Sequence, residues 1–385
     1  MSSTAIVMAG IPSVNRSLYR EMQFSVGDPA ALIRFPGNDS ERRLLILRDI
    51  EMERAREQAA ADEIACPADF APASGLSGDR ETATAQAVAE CLKRAGVNQI
   101  TSDRTLPLSF VDEIRKVNIE ISYDPDLGVI DRRRKRPDEI EHLRQAQRDT
   151  ETAIRMACET IAAATPDRDG VLQHDKETLT SERVRAMIDL HLLRMGYETT
   201  PSIVAGGPQG GDCHQRGSGP LRTGEPVIID VFPRNQTTLY VGDCTRCVVH
   251  GEIPPVIASM HAAIVEAKAA ATAATRSGVT GEAVHQATLG VIHAHGFASG
   301  LPAADDPDDR IAMVHGTGHG VGLDVHEPPL LDFGGPVLVD GDALTIEPGL
   351  YAPAIGGLRV EDMVIATASG AENLNTLPEG LDWST

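Results

Sequence analysis

The sequence predicts an α+β protein in two parts: a smaller N-terminal α/β domain and a larger C-terminal domain of two helix-helix-strand-strand halves. Three observations carry that prediction. The 385 residues are roughly two to three domains' worth at about 150 residues each, with a large buried core. Apolar residues recur with helical spacing in some blocks and strand-like spacing in others. Beyond residue 137 the order helix, helix, strand, strand occurs twice, a repeat of architecture without a repeat of sequence.

The elements follow in order. In residues 1–130, Leu44-Leu45-Ile46-Leu47 suits a buried strand. Ala87, Val88, Cys91, Leu92 and Ala95 have helical spacing over 80–96, and Gly96 is placed to end that helix. Val117, Ile119, Ile121 and Tyr123 alternate as in a half-buried strand. No catalytic constellation stands out here, so this domain is expected to serve packing or oligomerisation. Residues 131–137 carry the basic run Arg132 to Arg136 and read as a solvated linker; Pro137 suits the first position of a helix.

The C-terminal domain is expected over 138–385. Ile140, Leu143, Ala146, Ala153, Ile154, Ala157 and Ile161 follow a helical repeat that ends before Pro166. A second helix covers 181–195, stopped by Gly196. Strands are expected over 227–232 and 239–249. Helices then follow from about Pro255 to Gly278 and from Thr280 to Gly296. A Pro/Asp-rich loop, 301–310, precedes strands at 343–351 and 357–366. Two related halves imply a site between them.

Charge and composition exclude some functions. With 35 basic against 56 acidic residues the net charge is −21, which opposes binding to nucleic-acid backbones and anionic lipid. Aromatic residues are only 3% of the chain, too few for base-stacking platforms. No apolar run approaches the roughly 18–20 residues of a membrane span, and residues 1–20 make a poor signal peptide. The six cysteines form no disulfide framework. A cytoplasmic protein with reduced thiols and no nucleic-acid or membrane partner is expected.

Five residues stand out as metal ligands. Asp230 closes the apolar run Val227-Ile228-Ile229, where a carboxylate is costly to bury without a partner. Asp243 follows 13 residues later, so a hairpin can turn both carboxylates to one side. His319 lies in HGTGHGVG, which does not fit the G-x-G-x-x-G nucleotide frame. Glu347 and Glu361 each interrupt a buried-looking strand. Oxygen-rich ligation with one imidazole suits Mn²⁺ or a similar borderline-hard ion, with Co²⁺ or Zn²⁺ as alternatives.

The segment HGTGHGVGLDVHE (315–327), the Asp230/Asp243 pair, Glu347 in IEPG and Glu361 in RVED resemble the M24 metallopeptidases, and within them the Xaa-Pro branch of aminopeptidase P and prolidase. The resemblance covers roughly residues 137–380 and reaches the N-terminal domain only loosely. It implies a pita-bread catalytic domain around a dinuclear metal site, preceded by a creatinase/prolidase-like domain. It also implies hydrolysis of the bond before proline in peptides or dipeptides with proline at the second position, and a homodimer.

Carried over, the resemblance gives Asp230 to one metal and His319 and Glu347 to the other, with Asp243 and Glu361 bridging. A bridging hydroxide would attack, Glu347 would accept its proton and His326 would stabilise the tetrahedral intermediate. His214 and Arg359 would assist on the substrate side; strand alternation puts Arg359 on the same face as Glu361. Tyr351 and His315 would line the proline pocket.

Three departures matter. The Asp230–Asp243 spacing is two residues longer than the family's usual one, which lengthens the turn at 233–238. The usual D-x-T-R-T reads Asp243-Cys244-Thr245-Arg246-Cys247; its C-x-x-C lies on a strand, where positions three apart face opposite ways, so both cysteines are expected to pack. Cys213 beside His214 is a candidate for oxidation. The alternative reading keeps the scaffold and changes the reaction, to a creatinase-like hydrolase or metal-dependent lyase acting on a small non-peptide substrate. Creatinase lacks these ligands, so the intact set disfavours its metal-free chemistry.

Overall fold

The computed structural model describes residues 4–37 and 41–384, and the chain forms two compact units, Met1–Arg132 and Arg133–Thr385. In the first, strands β1 (Thr4–Gly10), β2 (Ala30–Phe35), β3 (Arg42–Ile46), β4 (Glu63–Ala65), β5 (Gln99–Ser102) and β6 (Glu120–Tyr123) form one sheet in the order β4-β3-β2-β1-β5-β6. Helices α1 (Arg16–Met22), α2 (Met52–Gln58), α3 (Arg80–Arg94) and α4 (Leu108–Lys116) accompany it. The unbroken run Leu44–Leu47 is explained by burial on both faces. Leu44 and Ile46 join the core containing Val88 and Leu92 of α3, while Leu45 and Leu47 join the core containing Leu18 of α1. The strand expected from 117 starts only at Glu120, because Asn118 takes a left-handed φ of 63° and finishes the turn after α4.

Short helix α5 (Val129–Arg133) reaches the start of the second unit. There the expectation of a solvated linker fails. Arg133 is buried and forms a two-bond fork on Asp342, at 2.9 and 2.7 Å, and Lys135 is buried against Glu327 at 3.3 Å. Both acids lie some 200 residues away in sequence, beyond the reach of any local pattern.

Helix α6 (Pro137–Ala162) begins with Pro137 in its first turn, and Glu139 reaches back to accept the Arg136 N–H at 2.8 Å. With α7 (Ser181–Arg194) it accompanies a three-stranded sheet, Ile203–Gly206, Pro226–Val231 and Cys244–Val249. The core they share includes Ile154, Ala157, Ile161, Ile188, Val227 and Ile229. Gly242 lies so close to α6 that a side chain there would strike Thr150 and the Ala146 carbonyl, which lets the Asp243 segment lie on the helix.

The second half repeats the order. Helix α8 (Pro255–Ala274) is where expected, but by length and composition it is apolar enough to cross a membrane, contrary to the expectation that no apolar run approaches that length. Here Ile257, Met260, Ile264 and Ala267 pack into a core, and Lys268 forms a buried ion pair with Asp362. Helix α9 (Gly281–Ala294) follows. The strands then form a four-stranded and a five-stranded sheet.

Three expected strands are shorter than predicted. The second hairpin arm begins at Cys244, because Leu239 adopts φ 63° at the turn. The strand expected over 343–351 divides into Ala343–Ile346 and Gly349–Ala352, in different sheets, with Glu347-Pro348 between them. The strand expected over 357–366 divides into Gly356–Arg359 and Asp362–Thr367, with Val360-Glu361 between. Both breaks fall at a candidate ligand, where the chain crosses from one sheet to the other.

Candidate metal centre

Asp230 sits in the strand Pro226–Val231 opposite Thr245, and Asp243 immediately precedes the facing strand. Asp243 and Thr245 are two positions apart, so all three side chains share one face. Gln147 of α6 fixes Asp243 through its backbone: the Asp243 N–H donates to Gln147 Oε1 at 2.9 Å, and Gln147 Nε2 donates to the Asp243 carbonyl at 2.7 Å. Glu361 enters from the break between sheets. Its N–H donates to the Thr245 carbonyl at 3.1 Å, and the Thr245 hydroxyl donates to its carboxylate at 2.7 Å.

Ligand atoms of Asp243, His319 and Glu361 lie within 4.8 Å of one another, and all three residues are buried. His319 Nδ1 donates to the Gly320 carbonyl at 3.1 Å, which leaves the Nε2 lone pair facing the acids. Nε2 lies 3.4 Å from Glu347 Oε1 and 3.9 Å from Asp243 Oδ2. Asp230 stands beside this group: its Oδ2 accepts Arg359 Nη2 at 2.5 Å, while its buried Oδ1 has no hydrogen-bond partner.

The electrostatics agree with the geometry. Burial, then repulsion from Glu361, Asp230 and Glu347, pushes the Asp243 carboxyl well above its usual range. Burial followed by Glu347 and Asp230 does the same to Glu361, and burial raises Glu347. Burial lowers His315, His319 and His326. Burial opposes the Arg359 charge, but Tyr351 and the surrounding acids outweigh it and hold the guanidinium charged. One guanidinium faces four acids. An imidazole lone pair converging with carboxylate oxygens, and an orphaned buried oxygen on Asp230, are the donor chemistry of a divalent-cation site.

A cavity of about 470 Å³ opens onto this group, lined among others by His214, His315, His326 and Arg359. His326 stacks edge-on to His319 with ring centres 4.3 Å apart. Tyr351 is reached from the cavity through two neighbours: its hydroxyl accepts from Arg359 Nη1 at 2.9 Å and meets His315 Nε2 at 2.8 Å. His315 Nδ1 donates to the Gly316 carbonyl, so Nε2 is the acceptor and Tyr351 donates to it. Arg359 and Glu361 do both face the cavity. The reason is the crossing between sheets and not alternation along one strand, since the strand ends at Arg359.

The structure thus brings the ten sequence-predicted site residues to one place, three of the candidate ligands in closest approach. Cys244 and Cys247 enter different cores, on opposite faces of their strand as expected, and both are free thiols. Cys213 is half-buried on the cavity wall, and burial raises its thiol pKa. Gln147, Thr245 and Arg246 were not assigned from sequence. Thr245 and Arg246 sit in the quoted D-x-T-R segment, but no local signal marks Gln147.

Comparison with known proteins decides the family, since residues 141–368 match metallopeptidase family M24. The chain belongs to family M24. Among M24 relatives, the probable dipeptidase PepE of Mycobacterium tuberculosis is 36% identical over 205 residues, 52% of this chain and 51% of that protein, so the match spans about half of PepE's length. The Xaa-Pro dipeptidase of Pyrococcus horikoshii is 27% identical over 290 residues, 72% of this chain and 73% of that protein. The X-Pro aminopeptidase of Thermotoga maritima superposes with a TM-score of 0.79 at 22% identity, covering 98% of this chain and 97% of that one. For the prolidase of Pyrococcus horikoshii the values are 0.76 and 23%, over 98% and 95%. The pita-bread expectation therefore holds for the second unit, and the likeness to these solved structures covers residues of both units. Membership makes the chain a metallopeptidase and implies a divalent metal.

Proposed function

We propose that this M24 enzyme hydrolyses the peptide bond preceding proline, as an Xaa-Pro aminopeptidase or dipeptidase. The single observation that carries the reading is one cavity combining the acid-and-imidazole cluster with the Arg359–Tyr351–His315 chain. Asp230, Asp243, His319, Glu347 and Glu361 would hold two divalent cations, Mn²⁺ foremost. Such a pair supplies Lewis acidity and lowers the pKa of water to near neutrality.

The chain's own groups do the rest. Glu347, half-buried and raised by burial, accepts the proton of the attacking water. His326, at the cavity wall beside His319, donates to the oxygen that gains charge. His214 lies on the same cavity and orients the substrate. Arg359, Tyr351 and His315 form a fixed polar wall for the proline side, and Arg359 also holds Asp230 in place. Names of the relatives support peptide substrates. We place the enzyme in the cytoplasm as a homodimer, a reading checked by cell fractionation and sedimentation.

The test is hydrolysis of Ala-Pro and Ala-Pro-Ala by the metal-stripped chain before and after adding Mn²⁺, with Asp243→Ala as control. Metal-dependent release of alanine that the variant lacks is expected. No cleavage of either peptide under any divalent metal would overturn the reading.

A further inference from the structure

The lengthened hairpin and the basic run at 132–136 have no part in the mechanism above, yet both grip the loop that carries His326. Residues 321–326 leave the strand Gly318–Gly320 and form irregular bends before the strand Glu327–Leu331. Irregular backbone holds a side chain precisely only when its polar groups are tied down.

Two ties come from the hairpin tip. The Val241 N–H donates to the Gly322 carbonyl at 3.0 Å. Arg234 Nη1 donates to the Leu323 carbonyl and, at 2.8 Å, to the Leu239 carbonyl. One guanidinium therefore pins the hairpin tip to the His326 loop, and the left-handed turn at Leu239 accompanies that arrangement. The tip is itself anchored, since Tyr240 hydroxyl donates to Glu139 of α6 at 2.5 Å.

The third tie comes from the basic run. Lys135 Nζ lies 3.3 Å from Glu327 Oε2, both side chains 3% exposed, and Glu327 Oε1 accepts the Asp324 N–H at 3.0 Å. Glu327 is the residue after His326. Gly322 makes this packing feasible, because a side chain there would strike Glu327 and Lys135.

We propose that Arg234 is a positioning residue for His326: by joining the hairpin tip to the Leu323 carbonyl it fixes the loop that aims the imidazole, with the Lys135–Glu327 pair as the second grip. The proposal rests on the role given to His326 above. Through its bonds to the Leu323 and Leu239 carbonyls, Arg234 acts on turnover by way of the loop.

A double-mutant cycle between Arg234 and His326 tests it, using the metal-loaded full chain. Arg234→Met lowers kcat by about 10–100-fold, the range for losing a group that orients an active-site residue, with KM and bound metal unchanged. Arg234→Lys, which keeps a cationic donor, recovers part of the loss. In a His326→Ala background Arg234→Met has less than about a 2-fold further effect, whereas a loss of general stability would add in full. Equal losses in both backgrounds, an unchanged kcat, or loss of metal in Arg234→Met would overturn the proposal. If Arg234→Met does not fold, Arg234→Gln takes its place in the same cycle. A His326→Ala enzyme with wild-type kcat would instead overturn the role of His326, and this proposal with it.

Discussion

Glu361 and Asp362 are neighbours in the chain, each 2% exposed, yet their surroundings are opposite. Glu361 faces other acids, and burial and repulsion push its carboxyl well up. Asp362 points the other way, onto Arg246 Nη2 at 2.7 Å, the Lys268 ammonium, and Asn373 Nδ2 at 2.8 Å. Burial opposes its charge, but the two cations outweigh burial and hold the carboxyl below its usual range. The same chain segment thus builds a structural ion cluster that neutralises itself and a site that takes its positive charge from outside. Burial does not separate the two; the missing counter-charge does.

Four perturbations can break or sharpen that contrast. The largest effect is expected from Asp243→Ala, which removes an acid from the under-neutralised side. Its kcat/KM should fall by more than ~100-fold, the upper end for losing a residue that merely orients a ligand, in a peptidase assay at saturating Mn²⁺. On the other side, Asp362→Asn leaves Arg246 and Lys268 facing no anion at that position. It should destabilise the fold by about 3–5 kcal/mol in urea titrations, with and without metal. A variant as stable as the parent would show that the cluster is not structural.

Thr245→Val, which removes the hydroxyl between Arg359 and Glu361, should weaken metal binding by about 10-fold, read by competition with a fluorescent chelator. The smallest effect is a pH dependence of opposite sign in the two metal states. In the metal-free fold Asp243, Glu347 and Glu361 have pKa values above their unfolded ones. Their contribution is full below the unfolded value and is lost as pH rises through the folded one. The metal-free Tm should therefore fall as pH rises above the unfolded carboxylate range of about 4, by about 2–4 °C per kcal/mol lost, and is best read above about pH 7.5, where the histidines are neutral whether folded or unfolded. The Mn²⁺-loaded Tm should hold or rise, because deprotonated carboxylates bind the ion. Parallel curves from calorimetry would contradict the charge imbalance.

Parts of this site were legible because burying an acid is expensive. Asp230 at the end of an apolar run, and Glu347 and Glu361 inside apolar runs, announce that something must pair with them. The extent of the strands was less legible. Periodicity continues across Glu347-Pro348 and Val360-Glu361, and only the pairing partners show that the chain changes sheet there. The basic run misled for a related reason: Arg133 and Lys135 look solvated until Asp342 and Glu327 are brought to them. Gln147 was invisible, being one polar residue on a long helix whose partner, Asp243, is 96 residues away.

By itself the amino-acid sequence determined the two-part α+β plan, the helix starts at Pro137 and Pro255, and the residue types of a metal site, since periodicity, proline and misplaced carboxylates are local signals. The tertiary structure decided which of the buried acids are neutralised within the fold. It also decided that Arg359 holds Asp230 and that a hairpin and a basic segment converge on the His326 loop. Those outcomes depend on charge pairs between residues as much as 209 positions apart, and such pairs have no period to read.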